Sequence, residues 1–207
     1  MEQEISSIKT WLKTGSINIF GLPMSGKDTN GIRLAEALGG KFLSSGMILR
    51  EAEKTNTIVR DAMTAGLWTP TDQFYQIVLP YFGREDLADF PLILGGIGRW
   101  SGEEQTVMSA AASSGHPIKA AILLNISAAD VRLRWEQSQI LGDRGVRADD
   151  QDIKALESRI HEFNTKTMPV IQYYSEHGLL VPINADQSKE AVFTEILQKL
   201  SAFAKSS

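Results

Sequence analysis

The stretch from residue 21 to residue 29, G-L-P-M-S-G-K-D-T, constrains the fold of this chain more than any other feature. It follows a short apolar run at 17–20 and precedes a helical pattern at 30–38. This order predicts a phosphate-binding loop, because the backbone N–H groups of the loop and the N-terminus of the helix then face an anion. The pattern G-x-x-x-x-G-K-[ST] is met except at its last position, where Asp28 stands. We expect Lys27 to lie along the phosphates.

The composition excludes several classes of protein. With 207 residues, 43% hydrophobic and 22% charged, the chain suits one sizeable globular domain. The net charge of −4 does not favour nucleic acid or a membrane surface as a partner. The absence of cysteine excludes disulfides, thiolate nucleophiles and cysteine-ligated zinc. No apolar run approaches about 18 residues and no signal-peptide pattern is visible, so we expect a soluble, cytoplasmic protein.

Strand-like apolar runs alternate with helical patterns along the whole chain. The runs typical of buried strands are at 17–20, 41–43, 91–94, 118–126 and 179–183. Helical patterns are at 4–13, 30–38, 44–50, 57–65, from 69 onwards, 103–112, 129–141, 151–176 (one or two helices) and 188–204. This alternation predicts an α/β fold with a five-stranded parallel sheet that is covered by helices.

The arginines are concentrated in one part of the chain. Five of the ten lie between residues 132 and 159, namely Arg132, Arg134, Arg144, Arg147 and Arg159. One guanidinium group can bind two phosphate oxygens at once. For each arginine, a surface ion pair with Asp143, Asp149, Asp150 or Glu157 is an equal alternative. Arg50 and Arg99 follow other strands, close to glycines. Because the ends of parallel strands meet at one sheet edge, these arginines predict a site for more phosphate than one nucleotide carries.

Segments along nearly the whole chain resemble the adenylate kinase family of nucleoside-monophosphate kinases. They are 21–29 (family pattern G-x-P-G-x-G-K-G-T), 43–50 (I-S-T-G-D-x-L-R), 65–70 (G-x-L-V-P), 94–99 (L-D-G-F-P-R), 147–159 (R-x-D-D and a helical arginine, with one extra residue between) and 169–174 (P-[LV]-I-x-[YF]-Y). The resemblance implies a P-loop three-layer fold with a single kinase domain over 1–207. It further implies a lobe for the monophosphate at about 44–72 and a short lid without zinc ligands at about 137–150.

The resemblance also implies an activity and a role for each matching residue. The activity would be ATP + AMP = 2 ADP in nucleotide biosynthesis, reversible and Mg²⁺-dependent, carried out by a monomer. The residues implied to bind ATP are Met24, Ser25, Gly26, Lys27, Asp28, Thr29, Arg134 and Gln187. The residues implied to bind the acceptor monophosphate are Ser45, Gly46, Arg50, Thr69, Gly96, Arg99 and Glu103. The catalytic set would be Lys27, Arg99, Arg144, Arg147 and Arg159, which position the phosphates and neutralise their charge.

Departures from the family pattern concern the metal. The family carries an aspartate that holds water on the magnesium ion at the position of Gly95, and Met24 and Asp28 replace two loop glycines. A carboxylate near phosphates is repulsive unless a cation lies between them. Our hypothesis is that Asp28 replaces the missing aspartate and acts indirectly on the magnesium ion. The alternative is that Asp28 caps the helix and faces solvent.

A further departure concerns the acceptor base. Glu103 stands where the family reads adenine with a glutamine, and an ionised carboxylate can only accept hydrogen bonds. Guanine offers donors on that edge, so GMP is an alternative to the favoured AMP, and a shifted helix could instead bring Gln105 to adenine. A pyrimidine acceptor, or a nucleotide-binding protein with impaired catalysis, are the remaining alternatives. Trp100 and Trp135 flank site arginines, and packing is the commoner role for such side chains.

Overall fold

A single parallel sheet forms the centre of the computed structural model, which describes residues 1–65, 67–141 and 152–206. Its strands are β1 (Ser16–Gly21), β2 (Lys41–Ser44), β3 (Leu92–Gly95), β4 (Ile118–Asn125) and β5 (Leu180–Asn184). The strand order is β2-β3-β1-β4-β5, and every neighbouring pair is parallel. The predicted α/β fold with a five-stranded parallel sheet is therefore confirmed.

Helices follow the strands much as the periodicity predicts. They are α1 (Glu2–Leu12), α2 (Lys27–Leu38), α3 (Ser45–Ala52), α4 (Thr57–Thr64), α5 (Thr71–Val78), α6 (Glu104–Ser113), α7 (Ala128–Leu141), α8 (Ile153–Glu162), α9 (Met168–Glu176) and α10 (Lys189–Ser206). Two short 3₁₀ turns between α5 and β3, Leu79–Gly83 and Glu85–Leu87, were not predicted. Among the described residues no helix is long and apolar enough to span a membrane.

The helical stretch predicted at 151–176 contains an irregular turn. A π-turn, Phe163–Thr167, joins α8 to α9. Pro169 follows it in the first turn of α9. Proline brings no N–H group and its ring clashes with the carbonyl four residues earlier, so the preceding turn of helix has to widen.

The central strand β1 is the most deeply buried element of the sheet. All six of its residues are buried, as is expected of a strand with neighbours on both sides and helices on both faces. At the periphery α1 packs on α10, where the rings of Trp11 and Phe203 meet edge to face at 5.8 Å. This core fixes the carboxyl ends of the parallel strands at one edge, where the loops after β1, β2, β3 and β5 converge.

Candidate functional site

The loop between β1 and α2 has the turns of a phosphate-binding loop. Gly26 has a φ of 90° and Met24 has a φ of 62°, so both lie in the left-handed region. For Met24 this conformation costs about 1–2 kcal/mol, and the side chain compensates by packing into the core at 8% exposure. The Lys27 ammonium folds back across the loop and donates to the carbonyl oxygens of Gly21 (2.8 Å) and Leu22 (3.0 Å).

A buried hydroxyl lies inside this loop. Ser25 is 2% exposed, and its Oγ has no hydrogen-bond partner among the described residues. A Cβ added to Gly21 would lie 2.6 Å from this oxygen, so the close approach requires glycine there. A buried polar atom without a partner calls for a ligand or water, and an oxygen-rich anion fits this position.

Arg134 joins the phosphate loop to the loop after β5. Its guanidinium donates to the carbonyl oxygens of Met24 (3.2 Å) and Ala185 (2.6 Å). Gln187 lies in the same loop and donates to Asn184 O at 2.8 Å. The structure thus brings the predicted ATP-binding residues from β1, α7 and β5 to one side of the sheet edge.

The predicted acceptor residues lie on the other side of that edge. Ser45 Oγ, at the start of α3, donates to Gly96 O at 2.9 Å. A Cβ on Gly46 would lie 3.3 Å from Nη1 of Arg50, so this guanidinium lies over the glycine. A Cβ on Gly96 would lie 3.0 Å from Cδ of Arg99 in the same way. Two arginine side chains therefore lie against glycine backbone at this edge, which is a suitable arrangement for an anion.

Ser45 and Arg99 also border a small cleft. It is lined by Ser45, Leu49, Trp68, Thr69, Phe74, Arg99, Trp100 and Glu103. Thr69 is 6% exposed, and no described residue pairs with its Oγ1. An apolar cleft with a few convergent polar groups is the ordinary form of a small-molecule site.

Arg99 is a buried guanidinium near charged residues of several segments. Burial lowers its pKa to about 10, the positive charges of Arg159 and Arg50 act in the same direction, and the carboxylates of Glu103 and Asp28 oppose them. The charges of two further guanidinium groups and two carboxylates, from separate segments, therefore reach the Arg99 guanidinium. Such a cluster of cations is repulsive until an anion neutralises it.

Glu103 is a buried carboxylate that already has protein partners. It is 3% exposed, and it accepts hydrogen bonds from Thr71 Oγ1 (2.9 Å) and Trp100 N (3.1 Å). Burial raises its pKa, although both hydrogen bonds oppose the shift. Each carboxylate oxygen keeps acceptor capacity for a donor in the cleft.

The ring of Phe42 accounts for the glycine at position 95. A Cβ on Gly95 would lie 2.9 Å from Cζ of Phe42 and 3.0 Å from Cβ of Ser44. A Cβ on Gly31, in α2, would lie 2.3 Å from Cε2 of the same ring. Phe42 therefore fills the space between α2 and the end of β3, and an aspartate at position 95 would have to displace it.

Sequence reasoning missed Asn18. This fully buried residue of β1 donates through Nδ2 to Ile97 O (2.7 Å), and its Oδ1 accepts from Ile97 N (3.2 Å). The pair of bonds fixes the loop that carries Gly96 and Arg99. The signal was a lone amide in an otherwise apolar strand, since a buried amide needs partners.

The arginine cluster divides into two groups. Arg132 forms a bidentate pair with Glu157 at 2.5 and 2.8 Å, so the ion-pair alternative applies to it. Arg159 is within electrostatic reach of Arg99. Arg144 and Arg147 lie outside the described residues, as do Asp149, Asp150 and the predicted lid from 142 onwards.

Comparison with known proteins finds adenylate kinases among the relatives of this chain. No family model matches the chain. Adenylate kinase from Kosmotoga olearia is 26% identical over 212 residues, which cover 89% of this chain and 98% of that protein. Adenylate kinase from Thermus thermophilus is 27% identical, with 89% and 97% covered, and that from Encephalitozoon cuniculi is 27% identical, with 91% and 99% covered.

The chain is related to the adenylate kinase family. The relationship extends along nearly the full length of both proteins in each comparison, and it indicates that this adenylate kinase relative is a phosphotransferase. The described residues contain no group of three or more histidine, aspartate or glutamate side chains that could hold a metal ion by themselves. Mg²⁺ bound by substrate phosphates and one carboxylate does not need such a group.

Proposed function

We propose that this protein is a nucleoside-monophosphate kinase that catalyses reversible, Mg²⁺-dependent phosphoryl transfer from ATP, with AMP as the favoured acceptor. The observation that carries the proposal is that Arg99, a buried guanidinium in the lining of the cleft, lies within electrostatic reach of Arg50 and Arg159 from two other segments. Binding one nucleotide does not require a cluster of cations on both sides of a loop. Two phosphate groups that approach each other do require it.

The donor nucleotide would lie along the loop between β1 and α2. The backbone N–H groups of 24–29 and the N-terminus of α2 would hold its phosphates, with Lys27 as a point charge beside them. Arg134 would contact the adenine, and the backbone near Gln187 would border it. The contacts of Arg134 with Met24 and Ala185 support this assignment, because they place one guanidinium against both loops.

The acceptor would enter the cleft on the other side of Arg99. Arg50 and Arg99 would hold its phosphate, and Ser45, Gly46, Thr69 and Gly96 would line the approach. The Thr69 hydroxyl, for which no described residue is a partner, supports this role. The attacking group is a phosphate oxygen that is largely ionised at neutral pH, so the protein need not supply a general base.

The transfer itself would depend on positive charge around the moving phosphoryl group. Arg159 would neutralise the equatorial oxygens from one side, and Arg144 and Arg147 remain predictions for the other. The lid predicted at 137–150 would exclude water, which otherwise competes as the acceptor. Mg²⁺ bound with ATP would supply further neutralisation of the donor phosphates.

Among the described residues, Asp28 has a carboxylate that suits the Mg²⁺ ion bound with the donor ATP. It occupies the motif position whose hydroxyl contacts Mg²⁺ in ordinary phosphate loops, and a carboxylate is a ligand that Mg²⁺ prefers. A carboxylate at position 95 would have to displace the ring of Phe42. We therefore assign to Asp28 an indirect role on the ion.

An assay of ADP formation with AMP, GMP, CMP and UMP, each with Mg²⁺ and ATP, tests the function. We expect turnover with AMP to exceed turnover with the others, and Glu103 makes GMP the alternative acceptor. The packing of Phe42 over Gly95 favours a second candidate, a nucleotide-binding protein with impaired catalysis. Tight nucleotide binding without turnover on any acceptor would leave only that candidate.

A further inference from the structure

A lysine from the π-turn lies on a tryptophan of the acceptor cleft. Nζ of Lys166 is 3.9 Å from the centre of the Trp100 ring. The same ammonium donates to Glu162 Oε2 at 2.7 Å, and Glu162 is buried. The cation is therefore held in place against one face of the indole by a carboxylate that is shielded from water, which strengthens both interactions.

The backbone makes a second connection at the same place. Ser101 N donates to Lys166 O at 3.1 Å. The segment after Arg99 is thus bound to the turn that joins α8 and α9 by one side-chain contact and one backbone hydrogen bond. A widened helical turn of this kind often accompanies a functional site, and here it aims one residue, Lys166, at the cleft wall.

The indole of Trp100 also belongs to the cleft. Trp100 lines it together with Trp68 and Glu103, and its backbone N–H donates to Glu103. The ammonium covers one face of the ring, so the surface that Trp100 offers to the cleft is the remaining face or edge. A flat aromatic surface lies beside a buried hydrogen-bond acceptor, which is a suitable combination for a nucleobase.

We propose that Trp100 is a stacking wall for the purine base of the acceptor, and that Lys166 is the positioning residue that orients it. The inference rests on the proposed function and narrows its substrate class to purine monophosphates. Stacking on an aromatic ring stabilises a base through its π-face, and a purine offers a larger face than a pyrimidine. Glu103 would accept from the donor groups of the stacked base.

The test compares Michaelis constants of the full-length protein and its variants for acceptor and donor. Trp100→Leu keeps an apolar side chain and removes the π-face, so we expect the KM for AMP to rise about 5–100-fold. Lys166→Met should raise the same KM about 2–30-fold, the range of one cation–π contact, and Lys166→Arg should restore it. The KM for ATP should change less than twofold, and the preference for purines over CMP and UMP should decrease in Trp100→Leu.

Lys119→Met is the matched control. Lys119 lies over the ring of Trp11 at 5.7 Å and donates to Trp11 O, on the periphery rather than at the cleft. The control should leave both Michaelis constants unchanged. A KM for AMP within twofold of the original in both Trp100→Leu and Lys166→Met would overturn the inference, as would equal rises in the two Michaelis constants, which indicate a general loss of structure.

Failure of the proposed function gives a different result. In that case the unmodified protein shows no turnover, and direct titration with AMP and GMP replaces the kinetic comparison. Weaker purine binding to Trp100→Leu and Lys166→Met, with thermal unfolding unchanged, would still support the stacking wall. Binding equal to that of the unmodified protein would overturn it.

Discussion

The phosphate loop and the acceptor cleft are built from different parts of the chain. The loop is nine consecutive residues, and the groups that we propose for phosphate binding are its backbone N–H groups and one lysine. The cleft combines side chains from α3, from α5 and the segment before it, and from the loop after β3. The loop depends on local conformation, and the cleft depends on long-range packing.

This difference explains where substitutions are tolerated. Met24 adopts the left-handed conformation that glycine prefers. The burial of its side chain offsets the cost of this conformation, so the loop keeps its turn without a glycine. In the cleft the identity of each side chain decides what binds, so Glu103 or Trp100 changes the chemistry directly. The following variants test this contrast, from the largest expected effect to the smallest.

Lys27→Met removes the one side-chain cation of the loop. We expect turnover to fall about 10²–10³-fold or more, because this charge is assigned to the phosphates during transfer. Steady-state kinetics measure the loss, and thermal unfolding checks that the fold persists. Lys9→Met, on the exposed side of α1, is the control. A loss below tenfold would contradict the assignment of the loop as donor site.

Asp28→Asn tests the metal side of the donor. We expect the factor by which Mg²⁺ tightens ATP binding to fall about 10–100-fold, while ATP without Mg²⁺ binds at least as well because a repulsive charge is gone. Calorimetric titrations with Mg²⁺ and with a chelator measure this factor.

Asp130→Asn is the matched control for a helix N-terminus. Asp130 lies in the first turn of α7 and is bonded to Ser127, far from the phosphate loop in sequence. The control should leave the effect of Mg²⁺ unchanged. If Asp28→Asn also leaves it unchanged, Asp28 is only a helix-terminal residue.

Glu103→Gln tests whether the carboxylate of Glu103 selects the base of the acceptor. Glutamine can donate as well as accept, so we expect the ratio of kcat/KM for AMP to that for GMP to rise about tenfold, the value of one hydrogen bond. Glu104→Gln changes the neighbouring charge and should leave the ratio unaltered. An unchanged ratio in Glu103→Gln would show that the carboxylate does not contact the base.

The same carboxylate predicts a pH dependence. Burial raises the pKa of Glu103, so its ionised form destabilises the fold, and this penalty grows as pH rises through the raised pKa. As pH falls toward that pKa the protonated group can donate, and the preference should move toward AMP. Glu103→Gln should abolish this shift. The ratio of kcat/KM for AMP to that for GMP, measured across the same pH range for both proteins, tests this.

Gly95→Ala tests the packing of Phe42 between α2 and the end of β3. The added Cβ would lie 2.9 Å from the Phe42 ring, so we expect a loss of about 1–3 kcal/mol in the free energy of unfolding. Gly83→Ala meets nothing closer than 4.0 Å and is the control. Urea unfolding measures both. Stability equal to that of the unmodified protein would show that Phe42 does not exclude a side chain at position 95.

Much of the fold follows from local pattern. The parallel sheet is predictable because its strands are continuous apolar runs separated by helical patterns, and the loop at 21–29 is predictable because its glycines and lysine are consecutive. The π-turn is readable only in retrospect, from Pro169, since the sequence does not say how a helix adjusts to a proline. The 3₁₀ turns between α5 and β3 carried no recognised signal.

The sequence by itself determined the sheet, the phosphate loop and the sets of arginines and glycines that follow the strands. Local hydrogen bonding and periodicity are sufficient for these features. Only the tertiary structure decided that Phe42 fills the space beside Gly95, that Glu103 is held by Thr71 and Trp100, and that Lys166 lies on an indole of the cleft. Each of these depends on which side chains from distant segments meet near the carboxyl ends of the strands. Packing between elements, rather than the pattern within one element, sets that outcome.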